Sequence, residues 1–279
     1  MTLLEIQEFN DPGCPFGYSA EPHRRRIEWF YGDELEMELR LIGLQSNPGE
    51  LERKGFTAEM MVGGWRKLAE SHGMPFNFTV KRHSATVPAC RAVVATRMHG
   101  GNDRALMRWL RIKRFSGELI DEQSIIDDAA KSAGIDPADL AKWTASAVTD
   151  KALAADMDAA RSPDPAALAV DHRLADSEQG RRYTCPSWEI DRAADGQRFV
   201  FAGFQPFEVY EVGLANLLPH VERRAPATDP AEVLAWAGEP LATREVALVM
   251  DISDAEATDA LRGSGATEIP LQSSSFWQG

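Results

Sequence analysis

Cysteine is scarce in this chain: three residues, Cys14, Cys90 and Cys185, among 279. No two of them stand in Cys-x-x-Cys spacing, and no Cys/His group has the spacing of a zinc site, so no metal is expected. Three thiols this far apart are not the disulfide framework of a small secreted domain. Long apolar runs are missing too. Nothing approaches the roughly 20 residues that a membrane helix needs, so no membrane partner is expected. The start, "MTLLEIQEFN", lacks the basic head and apolar block of a secretory leader, and a cytoplasmic location is expected. Basic charge is in deficit: 30 Lys and Arg against 43 Asp and Glu give a net charge of −13 at pH 7. Binding to phosphate backbones or anionic lipid is driven by positive charge, so a nucleic-acid partner is not expected either.

What is present is an ordinary globular composition, 44% hydrophobic, with length for one large domain or two to three small ones. "LLEIQEF" (Leu3 to Phe9) alternates in part and predicts a strand. Asp, Pro and Gly then mark a loop over Asn10 to Pro15. Ser19 to Tyr31 reads as a helix capped by Gly32, and Leu35 to Leu41 as a second strand. Strand, helix, strand in so short a span implies a parallel pair. From about Phe56 to Asp176 the pattern turns helical throughout. Helices end at Gly73 and at Gly100–Gly101, Asp136-Pro137 starts a run to about Arg161, and Asp164-Pro165 starts another to about Asp176. Ser187 to Ile190 and Arg198 to Phe201 predict two further strands. Phe207 to His220 predicts a helix with Val209, Val212, Leu217 and Leu218 on its apolar face. In the tail, Asp229-Pro230, Thr243 and the capping box Ser253/Glu256 start three helices, and "ATEIPLQSSSFW" predicts a hairpin. Three helices and a hairpin resemble a winged helix, but the acidic charge of this copy favours packing or dimerisation over DNA. The expected division is 1–55 with 177–227, an insertion at 56–176, and a C-terminal module at 228–279.

A thiolate, not a thiol, is the nucleophile of cysteine chemistry. Cys14 sits just before a predicted helix, where unpaired N–H groups stabilise a negative sulfur. Pro15 suits the first helical turn, where no donor is needed. The basic run His23 to Arg26 is expected to face solvent. Cys90, in an apolar helical context, is expected in the core. Tyr18 and Ser19 follow closely enough for their hydroxyls to reach a Cys14 thiolate or a bound thiol.

"CPFGYSAEP" after a first strand, a long helical insertion, and "TCP" before two strands and a helix resemble the DsbA-like branch of the thioredoxin superfamily. FrnE-like and dithiol-isomerase-like proteins are the nearer likeness, over about Leu3 to Arg224. The resemblance implies an α/β thioredoxin-like fold with a large helical insertion and a small helical C-terminal module. It makes Cys14 the attacking cysteine, with Pro15, Phe16, Gly17 and Tyr18 around it, and Pro186 the cis-proline facing it. It places Cys185 beside Cys14, within bridging reach if the Cα atoms lie about 4.4–6.8 Å apart. The resolving cysteine of the family is replaced by Gly17. That glycine is expected to open room beside Cys14, and Gly17→Cys to raise turnover.

Three readings follow. One is a thiol–disulfide oxidoreductase resolved by Cys185 or by a low-molecular-weight thiol. Its substrate would be a disulfide or a small electrophile. Another is a transferase or isomerase that borrows glutathione or mycothiol, like the kappa-class glutathione transferases and 2-hydroxychromene-2-carboxylate isomerases. The last is a non-catalytic interaction scaffold, with a homodimer as one form of partner contact. Neighbouring sulfurs in a small cleft favour the first, and a roomy apolar pocket lined by the insertion favours the second.

Overall fold

The computed structural model describes residues 2–279. The chain opens with strand β1 (Leu4–Asn10), helices α1 (Pro15–Ser19) and α2 (Glu21–Tyr31), and strand β2 (Leu35–Leu41). Much later come β5 (Ser187–Arg192), β6 (Arg198–Phe201) and α11 (Phe207–Leu217). Between these lie α3 (Glu50–Arg53), α4 (Ala58–His72), α5 (Val87–Met98), α6 (Asp103–Phe115), α7 (Gln123–Ser132), α8 (Pro137–Thr144), α9 (Ala147–Ala160), α10 (Pro165–Leu168) and the hairpin β3 (Ala175–Ser177)–β4 (Gly180–Arg182). The tail holds α12 (Pro230–Ala237), β7 (Leu241–Ala242), α13 (Thr243–Met250), α14 (Asp254–Gly263), β8 (Thr267–Pro270) and β9 (Ser275–Gln278).

The central sheet runs β2-β1-β5-β6, with β1 and β2 parallel and the other pairs antiparallel. This is a thioredoxin-like α/β fold. Alternation along β1 sends Leu4 and Ile6 into the core beneath α2 and α11, where Ile27, Phe30, Trp188 and Tyr210 meet them. Helices α5 and α6 bury Val93, Val94, Leu106 and Leu110 against Leu39 and Leu41 of β2.

Several predicted elements differ in form. The first helix starts at Pro15 rather than Ser19 and breaks at Ala20, where Pro22 opens α2 without a donor. Gly32 does not stop α2 in a left-handed cap; its φ is −54° and the chain runs on as a tight 3₁₀ turn. The run after Asp136 is two helices, since Ser146 caps a new one at Val148. The helix begun by Asp164-Pro165 lasts one turn, and the β3–β4 hairpin occupies residues the pattern had assigned to helix and loop. On α11, Val209 and Val212 are exposed while Tyr210, Leu214 and Leu217 face the core.

The basic run is the plainest correction. Arg24 and Arg25 are buried, because α2 is sandwiched between α6 and the tail. Arg24 pairs with Glu21 and Glu28, Arg25 with Glu239 and Arg111 with Glu21, while Arg108 donates to Glu245 at 2.6 Å. The guanidiniums that looked like solvent charge join the tail to the core. Strand β9 pairs with both β7 and β8, and Trp277 on it donates from Nε1 to Thr243 Oγ1 at 2.8 Å.

Candidate thiol site

Cys14 is the N-cap of α1, in extended conformation, with Pro15 as the first helical residue. Its carbonyl accepts from the Tyr18 N–H at 3.0 Å, which starts the helix. Its sulfur therefore lies where the N–H groups of Phe16 and Gly17 point. Cys185 precedes Pro186 at the head of β5, and the Cys185–Pro186 peptide is cis. Cys14 is 7% exposed and Cys185 6%, both packed with Phe9, Ile42 and Tyr183. As a thiol, Cys14 Sγ lies 4.0 Å from the Cys185 carbonyl oxygen. The two side chains are neighbours, and neither is bridged.

The neighbours divide the proton unequally. The Cys14 thiol is held below its ordinary value of 9.0, first by a hydrogen bond from the Cys185 thiol. Burial opposes this; the Gly17 and Phe16 N–H groups add to it, and the Asp11 carboxylate works against it. Cys185 is pushed well above 9.0 by burial and then by Cys14 itself. The pair thus lowers the proton affinity of Cys14 and raises that of Cys185. Cys90 is fully buried, its Sγ 3.5 Å from Asp11 Oδ2, and burial pushes its thiol up as well.

Three surrounding residues are placed otherwise than expected. Tyr18 turns away from the sulfurs: its hydroxyl donates to the Pro75 carbonyl at 2.6 Å and its ring stacks on Phe115. It ties α1 to the insertion and has no hydroxyl left for Cys14. Ser19 Oγ is buried without a partner. Gly17 does not open room. A Cβ there would overlap the Asn10 carboxamide oxygen, with Arg111 behind it. Asn10 cannot swing aside cheaply, since Nδ2 donates to Glu8 at 2.6 Å and Oδ1 accepts the Asp11 N–H at 3.0 Å. Phe16, by contrast, is half exposed beside the site.

Asp11 was not anticipated. Fully buried, it accepts from the N–H groups of Gly13 and Leu44, each at 2.8 Å, and from Thr86 Oγ1 at 2.9 Å. It ties the cysteine loop to the loop after β2 and to the start of α5. The sequence did carry a signal, an Asp two residues ahead of a glycine in a Pro-Gly turn.

Beside the cysteine turn lies a cavity of about 560 Å³, lined by Gly13, Pro15 and Phe16 and by Met61, Trp65 and Leu68 of α4. Neighbouring sulfurs and a roomy apolar pocket therefore coexist. Among the described residues no cluster of His, Cys, Asp and Glu is arranged to hold a metal ion, and no helix is long and apolar enough to cross a membrane.

A parallel–antiparallel four-stranded sheet, a cysteine at a helix start and a proline-led strand facing it define a thioredoxin-fold protein. The sequence pattern of the DSBA-like thioredoxin domain matches residues 5–164, and the chain belongs to that family. Among curated proteins it is similar to the ClpXP adapter protein SpxH of Halalkalibacterium halodurans, 25% identical over 292 residues, covering 99% of this chain and 88% of the relative. The SpxH of Bacillus subtilis is 23% identical, with coverages of 99% and 89%. Among solved structures it is similar to the cytosolic disulfide reductase DsbM of Pseudomonas aeruginosa, with TM-score 0.58, 16% identity, and coverages of 78% of this chain and 100% of that one. At that identity the likeness speaks for the fold.

Proposed function

We propose that this chain is a thiol–disulfide oxidoreductase with Cys14 as nucleophile and Cys185 as resolver. The observation that carries this is the placement of Cys14 at a helix start beside Cys185 before the cis Pro186, with Cys14 Sγ 4.0 Å from the Cys185 carbonyl oxygen. The Cys14 thiolate attacks a disulfide R–S–S–R, forming Cys14–S–S–R and releasing RS⁻. Cys185, deprotonated by the departing RS⁻, attacks the Cys14 sulfur, closes the Cys14–Cys185 bridge and releases a second thiolate. The substrate is thereby reduced to two thiols and the protein oxidised by two electrons; an external thiol such as glutathione or mycothiol returns it to the dithiol. Phe16, half exposed beside the site, offers an apolar contact to the substrate, and Pro186 faces the attacked bond. Reduction of a peptide mixed disulfide with added thiol tests the assignment. Cys14→Ala is expected to lose it, and full activity in that variant would refute the nucleophile.

One observation favours a second reading, a protein-binding adapter. The likeness to SpxH runs along 99% of this chain, whereas the likeness to DsbM covers 78%. Whatever lies beyond the oxidoreductase fold is thus shared with proteins named as adapters. Under this reading the division at 1–55 with 177–227, 56–176 and 228–279 gives a thiol unit and a tail that contacts a partner protein. A mixed-disulfide trap on Cys14 separates the two, since an adapter without thiol chemistry forms none.

A further inference from the structure

The cavity beside the cysteine turn has an unusual charge balance for this chain. The protein carries 43 acidic residues and a net charge of −13. The cavity lining contains Lys67, Arg114 and Arg182 and no Asp or Glu. Arg114, on α6, is 3% exposed. Its Nη1 has no hydrogen-bond partner, and its Nη2 has the Met61 sulfur at 3.3 Å. The guanidinium lies over the Trp65 ring, 4.8 Å from its centre. The nearby carboxylate of Asp121 is already engaged by Arg82 at 2.7 Å, by Ser84 Oγ at 3.0 Å and by the Ala85 N–H at 3.2 Å.

A buried guanidinium without a carboxylate is costly, because desolvation is not offset by an ion pair. Burial lowers the Arg114 pKa to about 10, which leaves it charged at neutral pH. A thioether is a weak acceptor, and methionine is flexible enough to yield its place. A carboxylate would accept from both Nη atoms, the strong paired geometry for arginine. The rest of the wall is apolar and aromatic, with Phe16, Phe56, Trp65 and Leu68. About 560 Å³ is the size of a small-molecule site.

We propose that this cavity binds a small amphipathic monocarboxylate, its carboxylate on Arg114 and its apolar body between Phe16, Phe56 and Trp65. The ligand lies against Pro15 and Phe16, so it occupies the approach to the Cys14 turn. This occupancy does not depend on any turnover by Cys14.

Calorimetric titration of the full chain with 4-phenylbutyrate and with 4-phenylbutyramide tests the proposal. The two probes share a body and differ in charge. The acid is expected to bind the wild type at least about tenfold tighter than the amide, and Arg114→Gln to bring the ratio to about one. Equal binding of acid and amide by the wild type would overturn the proposal without reference to any variant. So would an acid preference that survives in folded Arg114→Gln, or no saturable binding of the acid up to about 10 mM. Binding is read rather than turnover, so failure here leaves the thiol assignment of Cys14 standing.

Discussion

The proton affinity of Cys14 is lowered by a few named groups. Removing the Cys185 thiol takes away the largest of those that favour the thiolate. The midpoint of Cys14 alkylation by iodoacetamide, followed against pH, is therefore expected below 9.0 in the wild type and higher in Cys185→Ala. An unchanged midpoint in that variant would show that the helix-start N–H groups act alone. At Gly17, the Asn10 side chain fills the space that a resolving cysteine would need. Gly17→Ala is expected to cost about 1–3 kcal/mol, as overpacking does, and to lower Tm; a Tm equal to wild type would show that Asn10 yields. The same overlap predicts a packing cost for Gly17→Cys as well. Cys14 was legible at a predicted helix start, and the resemblance to the DsbA-like branch implied Cys185 and Pro186 beside it. Neither could show which way Gly17 and Tyr18 turn, since that is set by Asn10 and Pro75, seven and 57 residues away.

At the scale of elements, α2 and α6 are held to the tail by buried charge. Arg108 and Glu245 are both almost fully buried and share a 2.6 Å contact. Breaking such a pair leaves one charge unpaired in the interior and costs about 3–5 kcal/mol. Arg108→Leu is expected to lose that much in urea unfolding, and Arg108→Leu/Glu245→Leu to recover part of it. No recovery in the double variant would show that Glu245 is held by other groups. This interface was illegible beforehand. A run such as "HRRRIEW" has the look of a solvated face, and only the packing of α13 and α6 on α2 buries it. Helix starts were legible where a side chain caps locally, as at Asp136, Asp229 and Ser253. Helix ends were legible where a glycine caps in the left-handed region, at Gly73 and Gly238, but the break at Ala20 and the β3–β4 hairpin were not; the hairpin depends on distant partners such as the Tyr183 N–H bonded to the Ala160 carbonyl.

For the whole molecule, the buried cluster sets the response to acid. Burial alone would raise Glu21, but Arg24, Arg111 and Arg108 hold it well below its ordinary value of 4.5. Glu28 is lowered in the same way. A carboxylate with a depressed folded pKa stabilises the fold above its unfolded value and loses that contribution as pH falls through the folded one. Asp11 and Asp103, raised by burial, act with the opposite sign. The four arginines around Glu21 and Glu28 make their effect the larger, so the urea midpoint is expected to fall steadily between about pH 5 and pH 2. A flat midpoint over that range would mean that the raised carboxylates cancel the cluster.

Attack by Cys14 and resolution by Cys185 are both read at once by mass spectrometry of the intact protein after brief treatment with oxidised glutathione. The wild type is expected to end as an internally bridged chain lighter by two hydrogens, with Cys14 and Cys185 joined in the peptide map. Cys185→Ser is expected to stop as a glutathione adduct on Cys14. A stable adduct on wild-type Cys14 with no bridge, or adducts on Cys90 with Cys14 untouched, would contradict the account.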